Sequence, residues 1–82
     1  MKVLIEMTPE HYELFVAECD ITSREYTILK NSVVTGQPYA RENRMVWILC
    51  DRDEAKLLLD TAARVYPEVV ATIKDALDLS RE

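Results

Sequence analysis

The apolar run Trp47-Ile48-Leu49-Cys50 ends on a thiol and is followed at once by Asp51-Arg52-Asp53-Glu54. One thiol and three carboxylates thus fall within the five residues 50–54. Carboxylate oxygens in such a group suit a hard divalent cation. A carboxylate pair can serve phosphoryl transfer as nucleophile and acid. A thiol at a helix N-terminus is favoured as thiolate and becomes a nucleophile or phosphate binder. A fourth use is structural: acids at the start of a helix satisfy free amides and complement its dipole.

Asp51-x-Asp53 after an apolar strand resembles the first motif of the haloacid dehalogenase-like phosphatases. The resemblance covers only that short stretch. It implies one carboxylate as nucleophile and the next as acid. The family pattern continues with Thr or Val, where this chain has Glu54-Ala55. The doubly wound domain and further Lys and Asp motifs such enzymes need have no room in 82 residues. Cys50 followed by Lys56 resembles the Cys-x5-Arg loop of low-molecular-weight and dual-specificity phosphatases. Asp51, Asp53 and Glu54 would lie inside that loop and repel a phosphate, and no glycine lets the backbone wrap an anion. The Asp-x-Asp opening also resembles an EF-hand loop, but no glycine follows.

Asp51 and Glu54 stand at capping-box spacing, with Asp in the Ser/Thr role. Asp53 and Glu54 place negative charge at the positive end of the helix dipole. Two other helices of the same chain are expected to begin on a capping threonine, at Thr8 and Thr22, with no acidic cluster. The spacing therefore points first to a cap. A metal site at Asp51, Asp53 and Glu54 is the alternative.

The elements that must position these groups follow from periodicity. Lys2–Met7 is short, apolar and bounded by Thr8-Pro9, which predicts a strand and then a helix with Thr8 as N-cap and Pro9 in its first turn. Tyr12, Phe15, Val16 and Cys19 form one apolar helical stripe. Thr22 and Glu25 predict a second capping box and a helix over roughly 23–32, against a competing strand over Glu25–Val34. Val33-Val34-Thr35-Gly36 suggests a short strand, and Gly36–Asn43 an exposed loop. Met45–Cys50 is apolar without alternation, which predicts a strand buried on both faces, either as a central strand or with one face closed by a second subunit. Ala55, Leu58, Leu59, Ala62 and Tyr66 mark a third helix that ends near Val65, because Pro67 keeps the residue before it out of helical geometry. Pro67-Glu68 starts a fourth, with Val69 or Val70, Ile73 and Leu77 as its stripe. The pattern of apolar strand, polar cap, acid and apolar helix occurs twice, with Thr8 corresponding to Asp51.

The fold expected is a single α+β domain over residues 1–82, a small two- or three-stranded sheet covered by helices in the order β-α-α-β-β-α-α. A ferredoxin-like split β-α-β arrangement is the alternative. If the first and last strands pair in parallel, His11, Cys50 and Asp51 cluster at one sheet edge, where α/β folds place sites. If a hairpin through Val33–Gly36 splits the topology, they separate.

Composition narrows function. The net charge of −5 argues against general nucleic-acid binding and against an anionic membrane surface. Arg24, Lys30, Arg41 and Arg44 make the middle of the chain mildly basic, too little for a phosphate-tracking stripe. Two cysteines without C-x-x-C, one histidine and one glycine offer no zinc knuckle, no disulfide scaffold and no phosphate cradle. Met1–Met7 lacks the pattern of a signal peptide, and no run is long enough to span a bilayer, so a cytoplasmic protein with reduced thiols and no cofactor is expected. Chains near ~70–80 residues bury barely enough to fold alone, and a partner copy adds burial. The expected function is a non-enzymatic interaction or regulatory module that self-associates, with Tyr39, Arg41, Arg44 and Trp47 as contact candidates. The alternative is a small metal-binding protein or enzyme using Cys50–Glu54.

Overall fold

A computed structural model describes residues 2–34 and 45–80. Tyr39, Arg41, Arg44 and the whole of the expected Gly36–Asn43 loop lie outside those residues. In chain order the elements are β1 (Lys2–Met7), α1 (Pro9–Glu18), α2 (Arg24–Asn31), β2 (Val46–Asp51), α3 (Arg52–Val65), a 3-10 turn (Pro67–Val69) and α4 (Val70–Leu79). The fold is α+β as the periodicity predicts, with helices stacked on a small sheet.

β1 and β2 pair antiparallel, with Lys2 opposite Asp51, Leu4 opposite Leu49 and Glu6 opposite Trp47. Of the expected middle strand Val33–Gly36, Val33 and Val34 lie among the described residues, and Val33 forms a bridge there. Val33 pairs with Ile48, the Val34 N–H donates to the Trp47 carbonyl, and the Leu49 N–H donates to the Ser32 carbonyl. β2 therefore lies between β1 and Ser32–Val34. The direct antiparallel contact of β1 with β2 is not the split β-α-β alternative, which places parallel strands apart.

Both strands alternate. Val3, Ile5, Met7, Ile48 and Cys50 point inward, and Lys2, Leu4, Glu6, Leu49 and Asp51 point outward. Within one chain β2 is therefore buried on one face, which corrects the expectation of a central strand covered on both. A continuous apolar run in β2 does not alternate, but the pleat still sends every second side chain away from the core.

The helices form on the expected signals. The Thr8 hydroxyl accepts from the His11 N–H at 3.1 Å. Phe15 is the one fully buried residue of α1 and stacks on Tyr66, with ring centroids 6.3 Å apart. The Tyr12 hydroxyl donates to the Leu29 carbonyl at 2.8 Å, tying α1 to α2. The second cap is one residue later than expected. The N–H and hydroxyl of Thr22 both donate to Asp20 Oδ1, at 2.9 and 2.8 Å, which occupies the group that was to cap α2. Ser23 caps instead, accepting from the Tyr26 N–H at 3.2 Å. The two amide and hydroxyl donors of Thr22 hold the Asp20 carboxyl below its ordinary range.

α3 buries Ala55, Leu58, Thr61 and Ala62, and the Thr61 hydroxyl donates to the Leu57 carbonyl one turn back. Leu59 is only half-buried. α3 ends at Val65 as the proline requires. α4 contributes Ile73, Ala76 and Leu77 to a core shared with the inner sheet face and packs along β1. No helix among the described residues is long and apolar enough to cross a membrane.

Candidate functional site

The Cys50–Glu54 segment is the turn from β2 into α3. Asp51 is the N-cap residue, and its N–H donates to Glu54 Oε1 at 3.0 Å. The Glu54 N–H faces the Asp51 carboxylate in return, which completes a capping box. Asp51 also meets Lys2 Nζ at 3.2 Å, through the cross-strand register that sets these residues opposite each other. Both side chains are 59% exposed, so the ion pair adds little stability. Two of the three carboxylates thus engage the helix start and Lys2.

Alanine at Asp51 is expected to cost about 1 kcal/mol, the usual worth of an N-cap. Urea denaturation would read that loss. Alanine at Asp53, which has only the dipole to answer to, is expected to cost about 0.3–1 kcal/mol.

Arg52, in the midst of the acids, looks outward in sequence but does a separate job. Its Nη1 donates to the Leu77 carbonyl at 3.2 Å and to the Ser80 hydroxyl. It therefore closes the C-terminus of α4 from the first turn of α3, placing a cation at the negative end of that helix dipole. Only the tertiary crossing of α3 and α4 shows this contact.

Cys50 points the other way from Asp51, into the core. Burial, then the nearby Glu54 and Asp51 carboxylates, push its thiol up to about 11, against a smaller opposing pull from Lys2. Burial and the carboxylates of Glu25 and Glu18 push Cys19 up to about 11 as well. Both thiols stay protonated at neutral pH, the opposite of an activated nucleophile.

The antiparallel register separates the remaining candidates. Asp51 sits opposite Lys2, at the end of β1 where that strand begins, while α1 and His11 leave from the Met7 end. The conditional cluster of His11, Cys50 and Asp51 required parallel strands and does not form. His11 instead packs edge-to-face with Tyr66, with ring centroids 6.0 Å apart. Among the described residues no three His, Cys, Asp or Glu side chains converge as a metal-ion site.

The structure assembles a different surface. On the outer sheet face Leu4 and Leu49, directly paired across the strands, remain 44% and 43% exposed. Trp47 shares this face, half-buried opposite Glu6, and its Nε1–H is buried with no acceptor among the described residues. Beside β1, a shallow groove of about 220 Å³ is lined by Leu4, Glu6, Thr72, Asp75, Ala76 and Leu79. Leu79 is 80% exposed on its flank. Of the four contact candidates, Trp47 alone falls on this surface, and the other three lie outside the described residues. Leu4 and Leu49 carry no distinct signal within their apolar runs, and Leu79 stands alone between Asp78 and Ser80. The strict alternation of Lys2-Val3-Leu4-Ile5-Glu6-Met7 in exposure was present in the sequence only as Lys2 and Glu6 flanking Leu4.

No protein-family model matches the chain, and neither the curated proteins nor the solved structures contain a match to it.

Proposed function

We propose that the chain is a non-enzymatic interaction or regulatory module that self-associates through the outer face of its sheet, and that it works in the cytoplasm. One observation carries this reading: a two-stranded sheet with helices on one side leaves Leu4 and Leu49 side by side on the other. Adjacent exposed leucines at the centre of a sheet face favour cover by another surface, since apolar area removed from water contributes about 25 cal/mol per Å². Trp47 on the same face is of the residue type that anchors protein contacts.

The chemistry of the rest of the chain supports a binding role over catalysis. Its thiols are protonated and buried, its lone histidine lies against Tyr66, and Asp51 and Glu54 serve the start of α3. Sedimentation and light scattering over a concentration series test the reading. The expected result is a mass that rises from one chain to two. A single-chain mass up to about 1 mM, where any residual association is weaker than about −4 kcal/mol, would overturn it.

A further inference from the structure

We propose that the outer edge of β1, with the α4 face beside it, takes a basic extended segment of another protein as an added strand. The inference goes beyond self-association through the outer sheet face and does not depend on it. Among the described residues β1 pairs only with β2, and Val33 bridges to the far side of β2. The register then fixes where the main-chain groups of β1 point. The Leu49 N–H donates to the Ser32 carbonyl, and the Trp47 carbonyl accepts from the Val34 N–H. Leu49 and Trp47 thus turn their hydrogen-bonding groups away from β1. Leu4 and Glu6 stand opposite them. Antiparallel pairs alternate between bonded and non-bonded, so Leu4 and Glu6 send their N–H and C=O groups out of the sheet edge. Such an edge is a template for another strand.

The groove beside β1 supplies the floor. Leu4 and Glu6 belong to the outer face, whereas α4 packs along β1 and shares the core with the inner face. Residues of both line one groove, so it opens at the edge itself. Thr72, Asp75, Ala76 and Leu79 recur in it at the spacing of one helical face. A strand laid against β1 rests its inward side chains on that face, over Ala76. Its outward side chains stand beside Leu4 and Glu6. Charge selects the occupant. The two charged residues of the groove, Glu6 and Asp75, are exposed carboxylates without an ion-pair partner among the described residues. Lys2, at the far end of β1, already meets Asp51 at 3.2 Å. The edge therefore fits a lysine or arginine beside Glu6, an apolar residue two positions away beside Leu4, and a small apolar residue between them over Ala76.

The probe is the capped peptide Lys-Val-Val-Val-Lys, which reads alike in both strand directions. It is added to the full chain at low ionic strength, where exposed charges are least screened, and followed by amide NMR. The expected result is a Kd at or below about 1 mM, with the largest shifts at the Leu4 and Glu6 amides. Glu-Val-Val-Val-Glu is expected to bind at least about tenfold more weakly, because it sets like charges beside Glu6 and Asp75. Glu6→Gln with Asp75→Asn is expected to weaken the lysine peptide about tenfold. Both positions are exposed, and circular dichroism melts of that variant confirm an intact fold. N-methylation of the central valine, which removes the N–H facing β1, should abolish binding. Equal binding of the lysine and glutamate peptides would overturn the proposal. Shifts centred away from Leu4 and Glu6 would also overturn it, as would no binding at about 1 mM. Protection of both amides from hydrogen exchange in the chain without peptide would place a second copy on the edge, and would overturn it too.

Discussion

Replacing Phe15 by alanine is expected to remove about 3–5 kcal/mol of stability, the largest loss from any one truncation in α1. Phe15 is the only fully buried residue within that helix, and its ring lies on Tyr66 just beyond the end of α3. The other members of the stripe hold α1 less firmly. Tyr12 and Val16 are half-buried, and Cys19 lies past the last turn. Cutting the ring back to a methyl therefore loses most of the apolar surface by which α1 grips the rest of the domain. A chain of this length has about 4–12 kcal/mol of total stability, so the loss takes roughly a quarter of it or more. Its urea midpoint should fall in the same proportion. The neighbouring Leu14, 46% exposed, is the control: Leu14→Ala should change stability by no more than about 0.5 kcal/mol. A Phe15→Ala midpoint close to that of Leu14→Ala would show that the ring does not anchor α1.

Local signals in the sequence carried most of the elements. Thr8-Pro9, Asp51 with Glu54, and Pro67 each act within one helical turn, and each starts or stops a helix where its chemistry requires. Thr22 failed for an equally local reason. Asp20 competes for its hydroxyl, and the cap passes to the next hydroxyl along. What was not legible is tertiary. The residues Trp47-Ile48-Leu49-Cys50 are apolar throughout, so nothing in them says which side meets the helices. β1 held the better clue, because Lys2 and Glu6 bracket Leu4 on one side of the pleat, and pairing transfers that assignment to β2 through Leu49. The strand direction decided the candidate site. Antiparallel pairing sends the acids after Cys50 to Lys2 and leaves His11 at the other end. Arg52 reads as one more charge in an acidic cluster until α4 is seen to end above it.

The pleat of β2 yields the sharpest contrast, because adjacent apolar residues should respond to the same substitution in opposite ways. Ile48 is fully buried on the inner face, opposite Ile5, and is flanked on its other side by Val33. Leu49, the next residue, lies 43% exposed on the outer face. Ile48→Lys places an ammonium in the apolar core beside Ile5 and Val33, at a cost of about 4 kcal/mol or more. Against a total of about 4–12 kcal/mol that variant should lose roughly a third of its stability or more, read as a lowered urea midpoint by circular dichroism. Leu49→Lys puts the same charge into water, next to Leu4, and should shift stability by less than about 1 kcal/mol. Its effect falls instead on association. If this face is the contact, the ammonium is taken out of water against apolar surface, which suppresses pairing. Leu49→Lys should therefore melt as a folded single chain under conditions where the parent sediments as two. If Leu49→Lys is destabilised as much as Ile48→Lys, the outer face is part of the core of each copy. If it folds and still sediments as two chains, the contact lies on some other surface, and the leucine pair on the sheet is only exposed apolar surface of the ordinary kind.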